Sequence, residues 1–161
     1  MSKTRIYAYL VMFLSLSVVG AGIKIPLGIS SLALDSAPAL LAAIILGPIY
    51  GAIVGGLGHL LSAFFGGLPL GPFHALIAVE MAGILYLFGL LFKFCKPIFS
   101  LGFFIICNSA LAPIPFYFLI SPAFYWPLVL SLLLSSLCNV GIAVFIHTPL
   151  QNFLKKSAHY A

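Results

Sequence analysis

A chain of 161 residues that is 63% hydrophobic and only 6% charged cannot cover a surface exposed to water. This balance excludes a soluble enzyme or soluble binding domain and reads as a single membrane domain over residues 1–161. The formal charge of +5 does not mark a nucleic-acid face, because six of the seven Lys and Arg fall in three clusters at the termini or between apolar runs.

A bilayer core about 30 Å thick is crossed by roughly 20 apolar residues in a helix. Runs that meet or approach this length predict helices over residues 6–22, 48–65, 71–92, 98–119 and 127–147. The segment from Ser36 to Leu46 is apolar but about half a span. It predicts a short second helix, broken from the third at Gly47-Pro48 and capped by Asp35 or Ser36, with Pro38 in its first turn. The expected fold is all-α and integral to the membrane, with six transmembrane helices. Six crossings bring Lys3 and Arg5, Lys93 and Lys96, and Lys155 and Lys156 to one side, and the positive-inside rule makes both termini cytoplasmic. Lys24 alone falls outside, in a loop long enough to act as a lid, where it could pair with Asp35.

Small residues recur at four-residue steps. Ala39, Ala43 and Gly47 form one series and Gly51, Gly55 and His59 continue the step, while Ser17 and Ala21 give the first helix a weaker version. Such ridges let helix backbones approach closely where lipid supplies no hydrophobic drive. They serve packing within the bundle or a groove for a membrane partner.

Both acids of the chain, Asp35 and Glu80, lie among apolar or small residues, as do His59 and His74. Burying such a group unpaired costs several kcal/mol, so its retention points to function. His59 is expected roughly 9 Å below the outer end of the third helix. His74 falls in the first turn of the fourth helix, and Glu80 lies deeper, about 120° away around the helix. Asn108 and Asn139 are placed near the middle of the fifth and sixth helices, Asn139 on a stripe with Ser131, Ser135 and Ala143. For the histidines and asparagines the plain alternative is an interhelical hydrogen bond, and for Asp35 a helix cap. Polar groups converging in the outer half of an apolar bundle suit capture of a small, neutral, polar organic molecule, with Trp126, Tyr125 and Tyr117 available to stack on a ring.

No phosphate-binding loop, His-Glu-x-x-His or Gly-x-Ser-x-Gly motif is present, so no catalytic residue is assigned. Cys95, Cys107 and Cys138 have neither metal nor redox spacing. A binding subunit that relies on an energised partner is the reading left.

The run Leu46-Gly47-Pro48-Ile49-Tyr50-Gly51-Ala52-Ile53-Val54-Gly55, the six-helix layout and the short second helix after Ala33-Leu34-Asp35 resemble the substrate-binding S components of energy-coupling factor (ECF) transporters. Within that group, the segments Ala33–Pro38, Gly58–Ala63 and Leu70–His74 look like the type that takes alpha-ribazole, a cobalamin precursor. The resemblance implies a multi-pass subunit of a prokaryotic cytoplasmic membrane that captures a vitamin-like solute from outside. It implies docking on a transmembrane coupling protein bound to two ATPases, with ATP used by those partners and no cofactor in this chain. It implies substrate contacts from Asp35, His59, His74, Glu80, Asn108, Trp126 and Asn139. Docking would use small residues of the first three helices, here Ser17, Ala21, Ala39, Ala43, Gly47, Gly51 and Gly55. Two alternatives stand beside it: a transition-metal importer using His59, His74, Glu80 and Asp35, and a small membrane protein that transports nothing.

Overall fold

A computed structural model describes residues 2–27 and 30–159, with the side chains of 24–32 and 155–159 outside the description. The architecture is the expected helical membrane bundle, and helices α1 (Lys3–Gly22), α3 (Pro48–Phe65) and α4 (Phe73–Phe94) are each long and apolar enough to span. The fifth span, Pro97–Leu119, is composite: α5 (Pro97–Ile106), a π-helical segment (Cys107–Leu111) and α6 (Ile114–Leu119). The last helix, α7 (Pro122–His159), closes the bundle.

Two boundaries differ from expectation for a local reason. Ser2 accepts a hydrogen bond from the Arg5 backbone N–H, so α1 starts at Lys3 and includes Arg5 instead of starting after them. Likewise Ser121 accepts from the Phe124 N–H and Pro122 takes a first-turn position, where a missing N–H costs nothing. The last helix therefore begins five residues before Pro127, which lies inside it with Pro149.

Helix α2 (Ser36–Ile45) is the centre of the molecule. Ser36 through Ala43 are all buried, and α1, α3, α4 and α7 surround them. A helix that is apolar on every side belongs inside, and its alanines let four neighbours approach it. The chain then reverses at Gly47, whose φ of 112° favours glycine, and Pro48 opens α3. Leu40, Val54, Leu85, Phe88 and Phe104 complete a dry core. Large apolar side chains face outward on every long helix, Phe145 being 82% exposed, as suits a surface solvated by lipid.

One element has no counterpart in the all-helical expectation. Between α1 and α2, β1 (Lys24–Leu27) and β2 (Ser30–Ala33) form an antiparallel hairpin in the register Lys24 to Ala33 and Leu27 to Ser30. The Lys24 side chain, and so its pairing with Asp35, lies outside the described residues. The hairpin returns the chain to the end of α1, where the Leu34 N–H donates to the Gly20 carbonyl. The bundle thus has a hairpin end and, where α4 meets α5 at Lys93 and Lys96, a basic end.

Candidate functional site

The start of α2 sets up the site. A helix leaves its first N–H groups without partners, and Asp35, at the N-cap position, makes no capping hydrogen bond with its side chain. Asn139 does so from α7: its Oδ1 accepts from the Ala37 N–H at 2.7 Å, while its Nδ2 donates to the Ala33 and Ser135 carbonyls, each at 2.8 Å. Ser135 Oγ also donates to the Ala33 carbonyl, at 2.7 Å. On the other side, Ser17 Oγ donates to the Asp35 carbonyl, and Gly58 leaves room for that hydroxyl. With capping done from a distance, the Asp35 carboxylate accepts from Ser36 Oγ, at 3.1 Å, and from the backbone N–H groups of Asp35 and Ser36 among the described residues. Burial pushes its carboxyl above the ordinary carboxylate range, against the lowering by that hydroxyl.

Asp35 faces a cavity of about 400 Å³ in the hairpin half of the bundle, within the range for small-molecule sites. Helix α3 contributes His59 and Ser62, α4 contributes His74 and Glu80, and α7 contributes Phe124, Leu132 and Ser135. Asn108 enters from the π-helical segment, where the Ala112 N–H reaches the Cys107 carbonyl at 2.8 Å. That wider turn changes the register of the span. Asn108 Nδ2 then donates to the buried Ser136 Oγ at 2.8 Å, and Tyr125 OH donates to the Ala110 carbonyl at 3.2 Å.

The histidines form a directed chain. The Leu70 N–H donates to His74 Nε2 at 3.3 Å, so that nitrogen carries a lone pair and the proton of the ring sits on Nδ1. His74 Nδ1 lies 3.1 Å from His59 Nε2 and donates to it. His59 therefore keeps its own proton on Nδ1. Among the described residues, no group of three His, Cys, Asp or Glu side chains comes together as a metal site would require. Glu80 Oε2 is buried and has no hydrogen-bond partner among the described residues.

Residues 8–155 match the family described as ECF transporter, substrate-specific component. The chain belongs to that family. A solved structure, described as that of the S component of a bacterial ECF transporter, is similar with a TM-score of 0.79 over 96% of this chain and 99% of its own. At 22% identity this likeness speaks for the fold. No curated protein matches the chain. The S component is thus a multi-pass membrane transport subunit and not an enzyme, of a kind that binds a small molecule and docks on an ECF coupling and ATPase module.

Five of the seven residues expected to hold substrate line the S component's cavity: Asp35, His59, His74, Glu80 and Asn108. Asn139 stands behind it, 1% exposed, tying β2 and α2 to α7. Trp126 does not line it. It is 65% exposed and packs edge-on against Tyr125, which in turn meets Tyr117. The aromatic rings on the cavity are Phe116 and Phe124, with centroids 6.5 Å apart. Each directly precedes one of those tyrosines in sequence, so helix phase is the signal that picks them out. Most of the small-residue ridge faces inward: Ser17, Ala21, Ala39, Ala43, Gly51 and Gly55 are buried, Gly51 against Ala43 and Gly55 against Leu85, while Gly47 is half-buried.

Proposed function

We propose that the cavity captures a vitamin-like solute from outside the cell and that alpha-ribazole, or a related vitamin precursor, is that solute. The observation that carries the reading is where the three alpha-ribazole-like segments meet. Ala33–Pro38 contributes Asp35 and Ser36, Gly58–Ala63 contributes His59 and Ser62, and Leu70–His74 contributes both of its end residues to one wall. The three basic clusters support a cytoplasmic basic end with both termini inside, which turns the hairpin end outward. Energy for release comes from ATP hydrolysed by the partner ATPases. Docking on the coupling protein uses the face of α1 to α3. Ser17, Ala21, Ala39, Ala43, Gly47, Gly51 and Gly55 shape that face by letting the three helices lie close.

The test separates capture from transport. Purified protein is expected to bind alpha-ribazole without ATP, and cells are expected to take it up only when the coupling proteins are present. Uptake at full rate in a strain lacking them contradicts the capture-subunit reading. Failure of alpha-ribazole to bind, with another vitamin bound instead, replaces the substrate and leaves the mechanism standing.

A further inference from the structure

The hydrogen-bonding groups around the cavity are unequal in kind. Ser62 Oγ donates to the Gly58 carbonyl, Ser135 Oγ to the Ala33 carbonyl and Ser36 Oγ to the Asp35 carboxylate, so all three hydroxyl hydrogens are used within the protein. Asn108 directs its amide nitrogen at Ser136, and its Oδ1 has no partner among the described residues. The His59–His74–Leu70 chain consumes one ring N–H and two lone pairs and leaves a single ring N–H, on His59 Nδ1. Against that N–H and the second amide hydrogen of Asn108 stand the carboxyl groups of Glu80 and Asp35 and Asn108 Oδ1. The chain's only two acids both line this cavity, and no Lys or Arg side chain among the described residues does.

A wall with more acceptors than donors, two of its groups acidic, is complementary to a ligand that brings donors or positive charge. Glu80 is the decisive group, because it is an acid lining the cavity and its Oε2 has no hydrogen-bond partner among the described residues. We propose that the cavity selects ligands bearing a basic or permanently cationic nitrogen, with Glu80 as the group that meets it and Asp35 as a second acceptor. This rests on the cavity being the capture site. The benzimidazole ring nitrogen of alpha-ribazole fits the class, whereas vitamins whose polar group is a carboxylate do not.

The experiment is equilibrium binding to the purified full chain in lipid nanodiscs with five probes. They are alpha-ribazole, its isostere with C–H in place of the basic ring nitrogen, thiamine as a fixed cation, riboflavin as a neutral vitamin and pantothenate as an anion. A charge-assisted contact predicts that alpha-ribazole or thiamine binds about 10- to 100-fold more tightly than the isostere, riboflavin and pantothenate. Glu80→Gln is expected to erase that preference, bringing alpha-ribazole and thiamine down to the affinity of the isostere. Asp35→Asn should reduce the preference by a smaller factor, and wild-type competition by thiamine but not pantothenate reads the same selectivity if Glu80→Gln fails to fold. Binding of pantothenate, riboflavin or the isostere as tight as that of the nitrogen-bearing probes overturns the charge assignment and leaves the capture reading intact. Binding of none of the five to folded wild-type protein overturns both the charge assignment and alpha-ribazole as the solute.

Discussion

The two halves of the bundle use the same helices for opposite ends. Toward the basic end, α4 and α5 meet through an aromatic layer in which Phe88 touches Phe92 and Phe104, and Phe92 meets His147 edge-on. Toward the hairpin end α2 begins at Ser36, α4 begins at Phe73 after a turn with Gly71, and the fifth span widens into a π-helical segment before Pro113. These interruptions hold the helices apart and direct polar side chains inward. The contrast teaches that the cavity is opened by backbone irregularity and lined by side chains, while side-chain volume fills the closed half.

The largest effect is expected where volume closes the bundle. Phe88→Ala removes a fully buried ring and should cost about 3 kcal/mol of stability in a detergent or bicelle unfolding titration. Ligand affinity, measured under folded conditions, should stay near wild type, since Phe88 does not line the cavity. A strong loss of affinity without loss of stability would erase the distinction between the halves.

Asn139→Ala tests the boundary. It leaves the Ala37 N–H without its cap and frees the Ala33 carbonyl from one of two side-chain donors, for an expected cost of about 2 kcal/mol. Because the same residue holds β2 against α7, affinity should fall together with melting temperature. Gly51→Val drives a branched side chain into Ala43 and should cost about 1–3 kcal/mol with little effect on binding of the solute. At the small end, Trp126→Phe should change stability by less than about 0.5 kcal/mol and leave affinity unchanged, as read by titration calorimetry.

Much of this was legible because in a bilayer length and hydropathy report directly on helices. The five long spans, the short α2 and the break at Gly47-Pro48 all follow from apolar run lengths and one Gly-Pro pair. The gathering of Asp35, His59, His74, Glu80 and Asn108 followed from the rarity of polar groups at membrane depth. What escaped depends on register and on distance along the chain. No residue pattern marks the turn at Cys107–Leu111 as π-helical, and helix phase, about 200° between residues two apart, separates Phe124 on the cavity from Trp126 facing outward. The four-residue strands of the hairpin carry no clear alternation. Asn139 caps a helix that begins 103 residues earlier, at Ser36, a pairing that only the fold brings about.

The central claim is that solute is held in the hairpin-half cavity, and filling that cavity tests it most directly. Titration calorimetry of alpha-ribazole into wild-type protein and into Ser62→Trp, which places a large ring in the cavity, should give one site per chain in the first and none in the second, both without ATP. Undiminished binding by a folded Ser62→Trp protein would place the solute elsewhere and contradict the account.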